Sequence, residues 1–430
     1  MLSLGRVPAA MYHQTVLGEN WRATRLKPKK EGLMTSRSFS GILFSLAIAT
    51  FALSQTSTYA MADSIVVNCD EGQSLNRTLA KMSKTAPATV VVKGTCTEYV
   101  KVNGFNGLTL KGSAGATLVQ PSVDPGDGLA IHVLFIQASR SVTVDGLAIH
   151  SGPSALSGIG LGRNSLDVRL RNLTIDGAGT FGIIVTESSQ VEFARVTASD
   201  PGYATVGVYD VSDVHIEDCL FQQVTGTSWN VVIDVGSGHV TIQRSTIRNM
   251  EIGINIFKGG QVDVQSFNSY YPLVGTNDVV IESPSGANFD GVSVGGGSLL
   301  TLGDTKLQIT NPGQPWGGTT AGVYVYDGST LNAGANLFVT GSHGQGVFVI
   351  NNSHATLAGS GIAGSGHGGL VAVNLSTIAV RTSNPLTQVS GNGTDLFCDA
   401  KSLITGGANV ANASTVLCTH LLTGDTEPIP

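Results

Sequence analysis

From residue 139 to residue 267, short apolar stretches alternate with polar turns on a nearly fixed period. Four segments align without gaps: SSQVEFARV (188–196), VSDVHIEDC (211–219), SGHVTIQRS (237–245) and GGQVDVQSF (259–267). Their valines at 191, 214, 240 and 262 are 23, 26 and 22 residues apart. Weaker copies stand at SLDVRLRNL (165–173) and SRSVTVDGL (139–147). Copies are preceded by a second apolar stretch, often opened by glycine: GIGL (158–161), GIIV (182–185), VGVY (206–209) and GINI (253–256). That stretch recurs as GVSV (291–294), GVYV (322–325), GVFV (346–349) and GLVAV (369–373). Strands this short are not stable alone, so each unit must bury its apolar face against its neighbours.

The pattern predicts an all-β chain, a right-handed parallel β-helix in which each unit is one coil of three short strands and coils stack about 4.8 Å apart. Alternation with period two puts Val191, Phe193 and Val196 inside and Glu192 outside. Stacking then yields rows. The outward position of the middle strand runs Thr143, Arg169, Glu192, His215, Thr241, Asp263, and the turn after it runs Gly146, Asn172, Arg195, Asp218, Arg244, Ser266. Opposite charges recur on neighbouring coils, which is structural pairing worth about 0.2–1 kcal/mol per pair. Longer spacings, 38 residues from Gly253 to Gly291 and 31 from Gly291 to Gly322, mark insertions on one side of the cylinder. Both ends need covering, since an open coil exposes unpaired strand edges. At the N-terminus SLNRTLAKM (74–82) places Leu75, Leu79 and Met82 on one face of a capping helix.

Composition sharpens this picture. The 430 residues include 55 glycines with only 13% charged residues, and no Gly-X-Y period is present. Turns repeated in every coil and needing positive φ are the expected use of that glycine. No run of 18 apolar residues occurs in the body of the chain, which excludes a multi-span membrane protein. Met34 to Arg37 is a short basic region, Gly41–Leu53 an apolar run, and Ala60-Met61-Ala62 a small-x-small cleavage site, so residues 34–62 read as a secretory signal peptide. Translation is expected to start at Met34, with 1–33 an upstream extension of the reading frame. The predicted layout is then a cap and first strand over 63–100, the β-helix over 101–420 and a tail over 421–430. The exported chain carries 17 basic and 28 acidic residues, net −11, which disfavours nucleic acid as a partner, and with its apolar run inside the signal peptide no membrane span is expected in the mature chain. All five cysteines lie in the exported part, where disulfides persist. Cys69 and Cys96 bracket its first segment and Cys398 and Cys418 its last, and are paired on that basis. Cys219 falls at an inward position as a buried thiol.

The coils at 158–267, the CDEGQSL…VKGTCTEYV segment and the closing GNGTDLFCD segment resemble the secreted bacterial right-handed parallel β-helix repeat proteins of the pectin-lyase-like fold. The resemblance covers nearly all of residues 63–420. It implies a secreted, periplasmic or cell-surface bacterial protein acting on or binding polysaccharide, but that group includes pectate lyases, polygalacturonases, alginate lyases, tailspikes and adhesins, so fold alone selects no activity.

The polygalacturonase-like Gly366-His367-Gly368 is present, whereas the adjacent Asp-Asp pair that such enzymes need is missing from the sequence. His343 and His367 lie one coil apart and read as loop histidines. Gly291-Val292-Ser293-Val294-Gly295 matches a hydrolase elbow by spacing, yet Ser293 falls within a strand instead of a strand-to-helix turn. Elimination of the pectate-lyase type needs carboxylates holding Ca²⁺ and a basic residue to take the proton. Asp210, Asp234 and Lys258 on the first-strand face are the candidate set for that alternative, with Ca²⁺ as its only implied cofactor. The leading expectation is a glycan-binding or adhesin-like module, a polysaccharide or surface glycan meeting Tyr209, Asn255, Trp316, Tyr324 and Phe348. A purely structural surface element is the third reading.

Overall fold

The computed structural model describes residues 64–122, 132–223, 231–249, 251–265, 278–282, 290–310, 320–334 and 336–422. Three all-parallel sheets run the length of the described chain, of 13, 15 and 13 strands. The first runs from Val100–Asn103 to Val416–Cys418, the second from Ser64–Asn68 to Leu421–Leu422, and the third from Thr95–Thr97 to Val410–Ala411. Each strand pairs with its counterpart in the next coil, and the chain visits the sheets in rotation. This is the expected right-handed parallel β-helix, with one short helix near the N-terminus.

Register matches the predicted outward row residue for residue, while Ser266 of the predicted turn row lies outside the described residues. Thr143, Arg169, Glu192, His215, Thr241 and Asp263 are successive partners on the second sheet. Inside, Ile183, Val206, Ile233, Ile254, Val292, Val323, Val347, Leu370 and Leu396 stack with 0–2% exposure. At about 1.5–3 kcal/mol per buried branched side chain, such rows dominate the stabilisation. The helix Leu75–Lys81 seats Leu75 and Leu79 on the first coil, and Ser74 caps it by accepting the Arg77 N–H. Disulfides join Cys69 to Cys96 and Cys398 to Cys418, and Cys219 is a buried free thiol, as read from the sequence.

The expected use of glycine holds at sixteen described positions, Gly94, Gly104, Gly259 and Gly328 among them, all at positive φ, but other residues share that conformation. In the turn row, Gly146 has φ 71°, but Asn172, Arg195, Asp218 and Arg244 take the left-handed conformation equally. Asn172 Oδ1 accepts from Arg195 Nε at 2.7 Å and Asp218 Oδ1 from Arg244 Nε at 2.8 Å, so side-chain bonds between coils offset the steric cost. Glycine has a second use where strands of the first sheet begin. A Cβ on Gly253 would lie 2.5 Å from the carbonyl oxygen of Gly291 and 2.8 Å from Ile281 Cγ2. Gly291, Gly322 and Gly346 repeat that crowding against the next glycine's carbonyl oxygen at 2.6–2.7 Å.

A second internal row went unread. Ser139, Ser165, Ser189 and Ser212, then Ser298, Ser329, Ser353, Ser376 and Ser402, are all buried. In each run every serine but the last donates its backbone N–H to the hydroxyl of the next coil's serine at 3.1–3.4 Å. The row is interrupted by Gly238 and Gly260, whose Cβ atoms would meet Val208 and the Val235 carbonyl oxygen. Those are the coils that carry Asp234 and Asn255.

Candidate functional site

The outer face of the first sheet places the candidate residues. Its central outward row runs Phe135, Gly160, Ile184, Gly207, Asp234, Asn255, Ser293, Tyr324, Phe348, Val371, Phe397. Lys101 opens the row one coil before Phe135; from Phe135 to Gly207 and from Phe348 to Phe397 it is apolar or glycine, and the polar run begins at Asp234. Tyr209 stands two positions further along its strand, so the candidates Tyr209, Asp234, Asn255, Tyr324 and Phe348 do share one face.

Asp234 is fully buried although it points outward. Tyr209 donates its hydroxyl to Asp234 Oδ2 at 2.5 Å, Tyr203 donates to the same oxygen at 3.1 Å, and Asn255 Nδ2 donates to Oδ1 at 2.7 Å. Desolvation and the neighbouring carboxylate push both phenols above the ordinary tyrosine range. The rings reach the carboxylate because facing positions are glycine. A Cβ on Gly207 would meet Phe181 and Tyr209 at 2.8 Å, and one on Gly236 would meet Phe257 and Tyr209 at 2.8 and 2.9 Å. Phe181, Tyr203, Tyr209 and Phe257 pack edge to face around this opening at centroid distances of 5.7–6.3 Å.

Two coils above, Asp290 opens the strand Asp290–Val294 between Ile252 and Ala321, in a row that holds His132, Ser157 and Gln345 at greater distance. Burial between those apolar neighbours pushes its carboxyl up to about 7, while Oδ1 accepts the Ala321 N–H at 2.9 Å. Tyr326 lies beside Ser293 and feels the charges of both Asp290 and Asp234. Tyr324 stacks between Tyr326 and Phe348, with centroids 4.8 and 5.3 Å apart and planes within 20°.

These contacts change the expected roles. Phe348 is only 8% exposed, and the stacked rings spend their faces on one another, so they present edges outward instead of the open platform expected for a sugar ring. Trp316 lies outside the described residues. Asp210 sits in the left-handed turn after Tyr209, and Lys258 occupies the same turn row two coils on. Lys258 Nζ lies 5.5 Å over the Phe257 ring. Asp234, with both oxygens accepting protein donors, has little left to offer Ca²⁺. Among the described residues, the one convergence of three potential metal ligands is Cys69, Cys96 and Glu98, where the thiols are spent in a disulfide. His343 and His367 are exposed in turns, and Ser293 is buried within its strand.

Sequence reasoning missed Tyr203, Tyr326, Phe257 and Asp290. Tyr326 carried a usable signal, standing two residues after Tyr324 and so on the same side. Asp290 carried none, because its meaning lies in the apolar residues stacked around it.

Fold and site together define a right-handed parallel β-helix protein. Residues 106–269 match the family described as the right handed beta helix region. Among solved structures, the chain is similar to the catalytic domain of a GH87 alpha-1,3-glucanase in complex with nigerose, at 14% identity over 82% of this chain and 68% of that one, TM-score 0.36. It is also similar to the siphovirus 9NA tailspike receptor binding domain, at 10% identity over 85% and 77%, TM-score 0.30. No curated protein matches the sequence.

Proposed function

We propose that this is an exported glycan-binding protein whose saccharide site is the first-sheet face around Asn255, Ser293, Tyr324 and Tyr326, with Asp234 as its buried anchor. The observation that carries the reading is the switch in the central outward row from apolar side chains to Asp234, Asn255, Ser293 and Tyr324 on four successive coils. The Asn255 amide and the Tyr324 and Tyr326 phenols, on coils about 4.8 Å apart and with buried Ser293 and Asp234 behind them, offer hydrogen bonds to sugar hydroxyls, and ring edges supply apolar contact. Two disulfides and the predicted signal peptide support export.

The same face points to a neutral or basic glycan. Asp210, Asp234, Asp290 and Asp327 stand on it or in the turns beside it, with Lys258 as the nearby cation. A polyuronate would meet like charge there. The test is retention on immobilised neutral and amino glycans beside pectate and alginate, with ultraviolet absorbance for unsaturated products and reducing-end release followed in parallel. Retention on a neutral or amino glycan, lost in Tyr324→Ala and Asn255→Ala and accompanied by no product, is expected. Turnover that disappears in Asp234→Asn would replace this reading with the lyase or hydrolase alternative.

A further inference from the structure

We propose that the solenoid associates head to tail, the C-terminal coil of one copy seating on the open second-sheet edge at the N-terminal end of the next. The two ends of the cylinder are finished differently. At the N-terminal end, the first strands of two sheets are blocked by side chains. Asp70 Oδ1 accepts the Thr95 N–H at 2.9 Å, Asn76 Oδ1 accepts the Lys101 N–H at 2.9 Å, and Asn76 Nδ2 donates to the Tyr99 carbonyl. Such plugs remove an edge from play. The second sheet's first strand, Ser64–Asn68, pairs on one side only among the described residues, with Ala88–Lys93. It exposes Ile65 at 38% and Val66 at 47%, beside an apolar hollow lined by Met82, Ala86 and Pro87.

The C-terminal end has no counterpart of the capping helix among the described residues. The inward row that is 0–2% exposed through Leu396 ends on Val416 at 44%. Leu417 at 58% and Leu422 at 46% lie beside it on the last coil. Of the eight large hydrophobic side chains exposed among the described residues, five are these terminal ones, so the apolar surface is concentrated at the two ends.

Charge and strand direction select the occupant. Residues 64–111 carry six Lys and Arg against three Asp and Glu, a net +3 in a chain that is otherwise acidic. Residues 387–422 carry Lys401 against Asp395 and Asp399, a net −1, and the sequence beyond the described residues adds two acids and no base. Contact of the N-terminal end with a C-terminal end joins opposite signs and continues an all-parallel ladder, whereas two C-terminal ends repel. The chain's own segment 423–430, with two prolines lacking N–H groups and two carboxylates, is a poor substitute strand. A heterologous contact of this kind does not close on itself and builds linear chains.

Sedimentation velocity over a concentration series tests this on the purified protein and on Val66→Lys and Leu422→Lys, both on the second sheet, with thermal melts to verify that both variants fold. Mass that grows with concentration and falls as salt is raised is expected for the parent, and monomer for each variant alone. An equimolar mixture of the two variants retains one good end of each kind, so it should form 1:1 dimers and nothing longer. A parent that stays monomeric at every concentration overturns the proposal. So does a Val66→Lys variant that associates like the parent, which would place the contact between two C-terminal ends.

Discussion

The hydroxyl of Tyr209 donates to Oδ2 of Asp234, 25 residues later and one coil up, in a space that admits the ring because Gly207 and Gly236 face it. This bond ties the outer face of the first sheet to the coil stack. Replacing Asp234 by Ala strands the hydroxyls of Tyr203 and Tyr209 and the Asn255 amide, and should cost about 3 kcal/mol, against about 1–2 kcal/mol for Tyr209→Phe. Urea titrations followed by tyrosine fluorescence would measure both, and equal, negligible losses would show that the cluster is not structural.

His239 bridges two coils, with Nδ1 at 2.8 Å from Asp213 and Nε2 at 3.0 Å from Asp263. Those two hydrogen bonds raise its pKa to about 9, against an ordinary 6.5. The stabilisation is therefore complete below about pH 6.5 and is lost as pH rises through 9. In the other direction, the bond to His239 lowers the Asp213 carboxyl; at Asp263 burial opposes that effect, but the bonds from His239 and Gln261 outweigh it. Their contribution fades in acid, as pH falls through those lowered values. His239 is 37% exposed, so screening limits the total to a fraction of ~1 kcal/mol. Melting temperature should be higher at pH 6 than at pH 9.5, and His239→Gln should flatten that difference.

Gly253 and Gly259 separate two uses of glycine six residues apart. Gly253 has an ordinary φ but no room for a methyl group, whereas Gly259 has φ 77° with open space around it. Gly259→Ala should cost about 1 kcal/mol through backbone strain. Gly253→Ala must displace the neighbouring coil, and should cost about 2 kcal/mol or more. Comparable losses in chemical denaturation would contradict the crowding account.

Burial pushes the Cys219 thiol up to about 12. At pH 8 it should resist alkylation in the folded protein and react once the chain is denatured. Mass spectrometry after iodoacetamide, without reductant, should find one modified cysteine only in the denatured sample. Labelling of the native protein would place the thiol at the surface.

The fold was legible because its signal is periodic. Val191, Val214, Val240 and Val262 announce the coil, and the outward row from Thr143 to Asp263 followed with correct register. The serine row was hidden because serine at turns is common, and only stacking reveals that Ser139, Ser165 and Ser189 bond one another in sequence. At the site, Tyr209, Asp234 and Asn255 were placed on one face correctly, since period two fixes direction. Their burial was not readable, because it depends on rings from Tyr203, Tyr209 and Phe257 closing over glycines in adjacent coils. Stacking likewise turned Tyr324 and Phe348 from an expected open platform into a wall.

Cys398 and Cys418 are strand partners on adjacent coils, and Cys69 and Cys96 likewise tie the N-terminal cap to the first coil. Solenoids ordinarily unravel from their ends, where a coil has only one neighbour to lose. Here both fraying points are locked covalently, so opening has to begin within the body, where a coil must part from two neighbours at once. Persistence then becomes a matter of rate: an intact chain can outlast proteases for longer than its equilibrium stability implies, until a single internal cut creates a new, unlocked end.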